Sequence, residues 1–293
     1  MLFLPAIVKA DELDDALGQR DVIKVRQLLA QDPNLVNRRD RLGHTPLFFA
    51  FGIGNLELVK LLLNQGADPK ASDPHGDQPI HEAARSRNTA VVQALLGKGA
   101  DVNARGFLAT TPLHQAVIIK SDKEMCAFLL SRGAAVNLKD ELGDTPLHAA
   151  ALTEGQSSAI ELLIDHGADI TARNNIGEMP MGLAGMYHQA ENAAVLLQHG
   201  TKWDIFSAAS LGNLAEVKVL LKADLRLVAT TNSQGTALLP AVVRGNEDIV
   251  RVLLENGADP NATDWQSRSV LTHAKQRGYT AIATLLRSYG ARD

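Results

Sequence analysis

Apolar residues recur along this chain in two alternating arrangements, each short and each spaced for one face of a helix. In the first, Leu47 and Ala50, or Leu147 with Ala150 and Ala151, follow closely on a Thr-Pro pair. In the second the apolar run is denser, as in Leu58, Val59, Leu61 and Leu62, or Ile249, Val250, Val252, Leu253 and Leu254. Spacings of three and four residues gather such side chains on one helical face. Thr before Pro reads as a helix start, because the hydroxyl caps a free backbone N–H and proline suits the first helical position. Gly66, Gly99, Gly133, Gly167, Gly200 and Gly257 follow the second runs, where a left-handed residue ends a helix. Polar stretches such as Asp140–Gly143 then lead to the next pair. The pattern predicts short helices in pairs, with Leu129 and Leu162 on the buried face of second helices.

The pairs repeat in register. Thr45-Pro46-Leu47, Thr111-Pro112-Leu113-His114 and Thr145-Pro146-Leu147-His148 match, with Gln78-Pro79-Ile80-His81 as a worn copy. Gly66-Ala67-Asp68 returns at Gly99, Gly167 and Gly257. Thr45 to Gln78 and Gln78 to Thr111 are each 33 residues, and Thr111 to Thr145 is 34. In period and in its Thr-Pro-Leu-His motif the chain resembles the ankyrin-repeat family. The resemblance covers nearly the whole chain. It implies an all-α ankyrin-repeat solenoid of helix-turn-helix units joined by β-hairpin fingers. Units then start near Asp11 and at Thr45, Gln78, Thr111, Thr145, Met179, Trp203, Thr236 and Ser269.

One step is irregular. Only Thr201 and Lys202 separate Gly200 from Trp203, so the sixth unit has no finger. The unit after it, from Ala208 through Leu220 to Val228, echoes Ala16 through Leu28 to Val36 at a constant offset of 192. The expected organisation is residues 1–10 as an apolar flap or signal-peptide remnant, 11–202 as repeats one to six, and 203–293 as repeats seven to nine with a C-terminal cap, stacked on the first array. Near residues 200 to 204 either the stacking angle changes or a loop is simply deleted.

Composition narrows the function. Of 293 residues 45% are hydrophobic, ample for a continuous core, and the net charge is −4. No basic excess exists to neutralise a phosphate backbone, which argues against nucleic acid as partner. A single cysteine, Cys126, excludes an internal disulfide framework and a cysteine zinc site. No apolar run reaches the roughly 20 residues that span a bilayer. Residues 1–10 cover the open end of the stack or are the end of a signal peptide. The expectation is accordingly a cytoplasmic monomer, or an exported, periplasmic one if those residues are a signal.

Catalytic motifs are not apparent. His81, His114 and His148 hold the fourth position of the repeat motif, where the resemblance implies an imidazole bridging backbone groups of adjacent repeats. His166 and His199 precede helix-ending glycines and suit the helix dipole. Neither a His-Glu-x-x-His, a phosphate-cradling loop nor a nucleophile elbow occurs. Cys126 lies in an apolar second helix, where a thiolate is disfavoured. We therefore expect no enzyme, no cofactor and no metal.

The resemblance implies that a partner meets the concave surface of fingertips and exposed first-helix ends. The fingertip candidates are Arg39, Arg41, His44, Arg105, Phe107, Leu108, Leu142 and Trp265. The first-helix candidates are Ile53, Arg85, Ile118, Ile119, Leu152, Met186 and Tyr187. Arginines flank large apolar groups here, a composition typical of interface anchors. The expected partner is another protein, through an acidic and partly apolar segment, with the chain acting as a scaffold or inhibitor. The alternatives are that several of these side chains pack between fingers, and that the chain is a non-catalytic accessory subunit that stabilises or localises an enzyme.

Overall fold

A computed structural model describes residues 12–52, 55–119, 123–233 and 235–292. The expectations for residues 1–10 and for Ile53 lie outside the described residues. The chain forms two compact units, divided between Glu141 and Leu142. The expected joint at Trp203 falls inside the second of them.

The first unit consists of helix pairs. They are α1 (12–18) with α2 (Val22–Gln31), α3 (Pro46–Gly52) with α4 (Leu56–Asn64), α5 (Pro79–Arg85) with α6 (Thr89–Gly97), and α7 (Pro112–Val117) with α8 (Lys123–Ser131). Polar residues start them: Lys24 N–H donates to Asp21 Oδ1 (2.9 Å), Leu58 N–H to Asn55 Oδ1 (3.1 Å) and Val91 N–H to Asn88 Oδ1 (3.1 Å). Leu58, Leu62, Val92, Leu95, Met125, Cys126 and Leu129 are fully enclosed, so the denser apolar runs do form the core. Each such side chain contributes roughly 1.5–3 kcal/mol by leaving water.

The repeats are also pinned by polar groups. Gln78 N–H donates to His81 Nδ1 (3.0 Å), so Nε2 carries the proton and faces the carbonyls of Ala104 (3.0 Å) and Thr110 (3.2 Å). The Asn103 side chain donates to Gly133 O (3.3 Å) and accepts from Ala135 N–H (2.8 Å), and Asn37 does the same one repeat pair earlier with Gly66 and Asp68. Fingers close on a carboxylate: Asp40 Oδ1 takes the N–H of Leu42 and of His44, and Asp73 Oδ1 that of His75 and of Asp77.

The second unit continues the scheme. Its first pairs are α9 (Pro146–Leu152) with α10 (Ser157–Asp165), and α11 (Pro180–Met186) with α12 (Ala190–Gln198). Next come α13 (Ile205–Ser210) with α14 (Leu214–Ala223), α15 (Leu238–Val243) with α16 (Glu247–Glu255), and α17 (Val270–Gln276) with α18 (Thr280–Ser288). A single core cluster runs from Ile205 to Leu286. Here β1 (Thr231–Asn232) pairs antiparallel with β2 (Gly235–Thr236), the one finger that forms a two-stranded ladder among the described residues. Leu162 is only half-buried; Ile160 and Leu163 carry the buried face of α10 instead.

At the fingerless step the helix start lies one residue later than the expected Trp203. Asp204 is the N-cap, and its carboxylate accepts from Ser207 N–H (2.8 Å). First helices α11 and α13 pack directly. A Cβ on Gly185 would come within 2.7 Å of Ser207 Cα, so only glycine permits this approach. Hydroxyl bonds replace the finger links: Ser207 Oγ donates to Met181 O (3.3 Å) and Ser210 Oγ to Gly185 O (2.7 Å). The echo at offset 192 is structural as well. Asp32 and Asp224 end α2 and α14 in the same extended conformation, and each begins a short 3-10 turn, Pro33–Asn37 and Leu225–Ala229.

Candidate interaction surface

In the first unit Arg39, Arg105 and Arg85 are already engaged. Arg39 donates to its own finger at Gly43 O (2.6 Å) and to the next at Ser72 O (2.6 Å). Arg105, two repeats on, donates to Ala109 O (3.2 Å) and Lys139 O (2.7 Å). Both remain exposed, as does Arg41. Arg85 is half-buried; it pairs with Glu82 and Asp77 and donates to Gln115 Oε1 (3.2 Å). His44 is half-buried and stacks on Phe48 with centroids 5.3 Å apart.

Asp77 joins two of the candidates. One carboxylate oxygen takes Phe107 N–H (2.8 Å) and the other faces Arg85 (3.3 Å). The Phe107 ring meets His75 edge-on, 6.0 Å between centroids, and stays 50% exposed. Beside it Leu108 and Ala109 both have positive φ, 52° and 55°. Two successive non-glycine residues in that region cost about 1–2 kcal/mol each. Ile118, the C-cap of α7, is 44% exposed, whereas Ile119 is half-buried.

In the second unit Leu142 and Tyr187 are exposed and Leu152 and Met186 are half-buried. Trp265 is the most exposed large apolar side chain of the described residues, at 74%. Met186 and Trp265 line one cavity of about 200 Å³ with Val243, Arg244 and Arg268. Asp264 lines the same cavity and is saturated: it accepts from Gln266 N–H (2.8 Å), Arg268 N–H (2.9 Å), Arg268 Nε (2.8 Å) and His273 Nε2 (2.9 Å). Burial alone would raise its carboxyl, but the hydrogen bonds from Arg268, His273 and Gln266 outweigh that and hold it far below the usual range.

Sequence reasoning did not single out Glu178, Asp204 or Arg244. Glu178 and Asp204 meet at the fingerless step, where the missing finger was the signal, while Arg244 lines the cavity with Met186 and Trp265. A second cavity, of about 290 Å³, lies where that finger would be, bordered by Arg173, Glu178, Asp204, Phe206 and Asn232. Ser233, from the next finger, reaches across and donates to Glu178 Oε1 (3.1 Å). Burial, with Asp204 nearby, raises the Glu178 carboxyl despite the Ser233 bond.

The described residues thus form a helix-pair array with exposed apolar and charged groups on its fingers and first helices, the build of a protein-interaction module. The family model described as ankyrin repeats matches residues 16–106, 113–207, 186–264 and 205–293, and this chain belongs to the ankyrin-repeat family. Ankyrin repeats generally mediate contact between proteins, and the family is typically non-catalytic. Among curated proteins, the chain is similar to the putative ankyrin repeat protein YahD of Escherichia coli, 40% identical over 29% of this chain and 45% of that protein. It is also similar to the human DNA-binding protein RFXANK, 36% identical over 22% of this chain and 25% of that one. A serine/threonine-protein kinase, VIK, of Arabidopsis thaliana is 42% identical over 24% of this chain, but only 16% of the kinase is matched. The chain therefore spans less than half the length of each of these relatives. No helix of the described residues is long and apolar enough to cross a membrane.

Proposed function

We propose that this chain binds another protein through its fingertips and first-helix ends, as a scaffold or as an inhibitor that occupies a partner's surface. One observation carries the reading: Phe107 and Leu108 are held at the surface by a turn with two left-handed non-glycine residues, and Ile118 on the first helix of the same repeat is exposed as well. Backbone strain of this kind persists where the surroundings over-determine it, and it gathers at binding sites. Arg105 on the same finger, and Arg41 two repeats earlier, are exposed, which suits an acidic and partly apolar partner segment.

Capture of proteins from the native source, followed by mass spectrometry, compares the natural chain with a Phe107→Ser, Ile118→Ser double variant. A partner enriched by the natural chain should vanish from the variant, while helical content and Tm stay nearly unchanged. Equal capture by both chains would remove this surface as the binding site. Collapse of the fold would mean that these side chains are core.

A further inference from the structure

The second unit carries a feature that the repeat pattern does not provide. Beside the finger missing from the sixth repeat, the cavity at Glu178 and Asp204 and the cavity at Arg244 and Trp265 each share lining residues with a small hollow, the neck, that lies between them. Gly182 and Phe206 border both the first cavity and the neck, and Met186 and Pro240 border both the neck and the second cavity. Position four of the helix motif, histidine at His81, His114 and His148, is here Gly182, where a Cβ would come within 2.4 Å of Glu178 Oε2. The three hollows together line a surface on which carboxylates outnumber guanidinium groups at one end (Glu178 and Asp204 against Arg173), the middle is largely apolar, and guanidinium groups outnumber carboxylates at the other (Arg244 and Arg268 against Asp264).

Each end keeps an excess of one sign. At the acidic end the two carboxylates of Glu178 and Asp204 share one guanidinium, Arg173, which acts on Glu178 and also donates to Gly177 O (2.6 Å) on its own finger. At the basic end Asp264 is occupied by Arg268 and His273, and Arg277 donates to His273 Nδ1 (3.2 Å). Arg244 makes no ion pair or side-chain hydrogen bond among the described residues, and burial together with Arg277 disfavours its charge. Cavities of about 290 and 200 Å³ are small beside the roughly 300–1,000 Å³ of dedicated small-molecule sites, but each has room for one side chain.

We propose that this surface binds an extended segment of a partner protein, with a basic side chain beside Glu178 and Asp204, an apolar residue over Met186 and Phe206, and an acidic side chain between Arg244 and Trp265. The proposal rests on the interaction reading above and gives it a ligand chemistry in the second unit. Charge complementarity at two separated points fixes the direction of the bound segment as well as its composition.

The test uses the full chain and fluorescein-labelled synthetic peptides of about eight residues, since an extended residue advances about 3.3 Å. One set carries Arg near the amino end, Leu and Pro in the middle and Glu near the carboxyl end; a second exchanges the two charges; a third is uncharged. Fluorescence anisotropy should show one charge order binding at least tenfold more tightly than the other two sets. Arg244→Glu, at an exposed position, should abolish that preference and favour a peptide with Arg at both ends, with an unchanged circular dichroism spectrum. Equal binding of all three sets, or no response to Arg244→Glu, would overturn the proposal. So would full competition by free arginine or glutamate, which would mark a small-molecule site. The Phe107→Ser, Ile118→Ser variant should bind the peptides normally. Loss of partner capture without charge-order preference would therefore sink the second-unit surface and leave the first-unit surface standing.

Discussion

At Glu178 two effects of the missing finger meet in one side chain. Its carboxyl is shielded from water and lies near Asp204, and the single Ser233 hydroxyl bond only partly compensates. The folded pKa is raised above that of the unfolded chain, so the ionised form costs stability at neutral pH. That cost disappears once pH falls below the ordinary glutamate range near about 4.3. Glu178→Gln should accordingly raise Tm at pH 7, and the gain should shrink at pH 4; a difference that is the same at both values would contradict the assignment. Glu178 was not legible in the sequence as special, because the residue before a helix-start position is ordinarily a solvated fingertip. By contrast His81, His114 and His148 were legible, since their motif position fixes both their burial and the carbonyls they meet.

At the level of helices, the start signals and apolar runs located nearly every element, and the errors have local causes. Trp203 was expected at a helix start, but Asp204 one residue later supplies the capping oxygen and takes that place. Leu162 sits on an apolar run that is wider than the buried face, so Ile160 and Leu163 fill the core. Exposure at the fingertips could not be read from residue type: Arg39 and Arg105 look like free ligands and instead span neighbouring fingers. The packing of α13 on α11 rests on Gly185. Gly185→Ala would push a methyl against the Ser207 backbone, where no flexible side chain can give way. We expect a loss of about 1–3 kcal/mol in urea denaturation. Gly97→Ala, with nothing within 4 Å, serves as the control and should lose none.

Over whole units, repeat order and period were plain in the sequence, while the division between Glu141 and Leu142 left no mark there. Stability in such arrays is close to a sum of repeat and neighbour terms, so the fingerless step is where the second unit would first come apart. The hydroxyl bonds of Ser207 and Ser210 and the direct packing of α13 on α11 work against that separation. Native-state hydrogen exchange in urea should therefore show α11 and α13 losing protection together, whereas the Ser207→Ala, Ser210→Ala double variant should split them into two steps. Persistent joint loss in that variant would show that packing alone couples them.

The arginine spans of the first unit also bear on how quickly and firmly a surface can be recognised. Arg39 and Arg105 each clasp two successive fingers, so the tips move as doubled plates rather than as single loops. Preorganised tips have little rotational freedom left to surrender on association. In the proposed complex the ordering entropy would fall on the incoming segment, and the residence time would be set by how readily that segment, not the array, lets go.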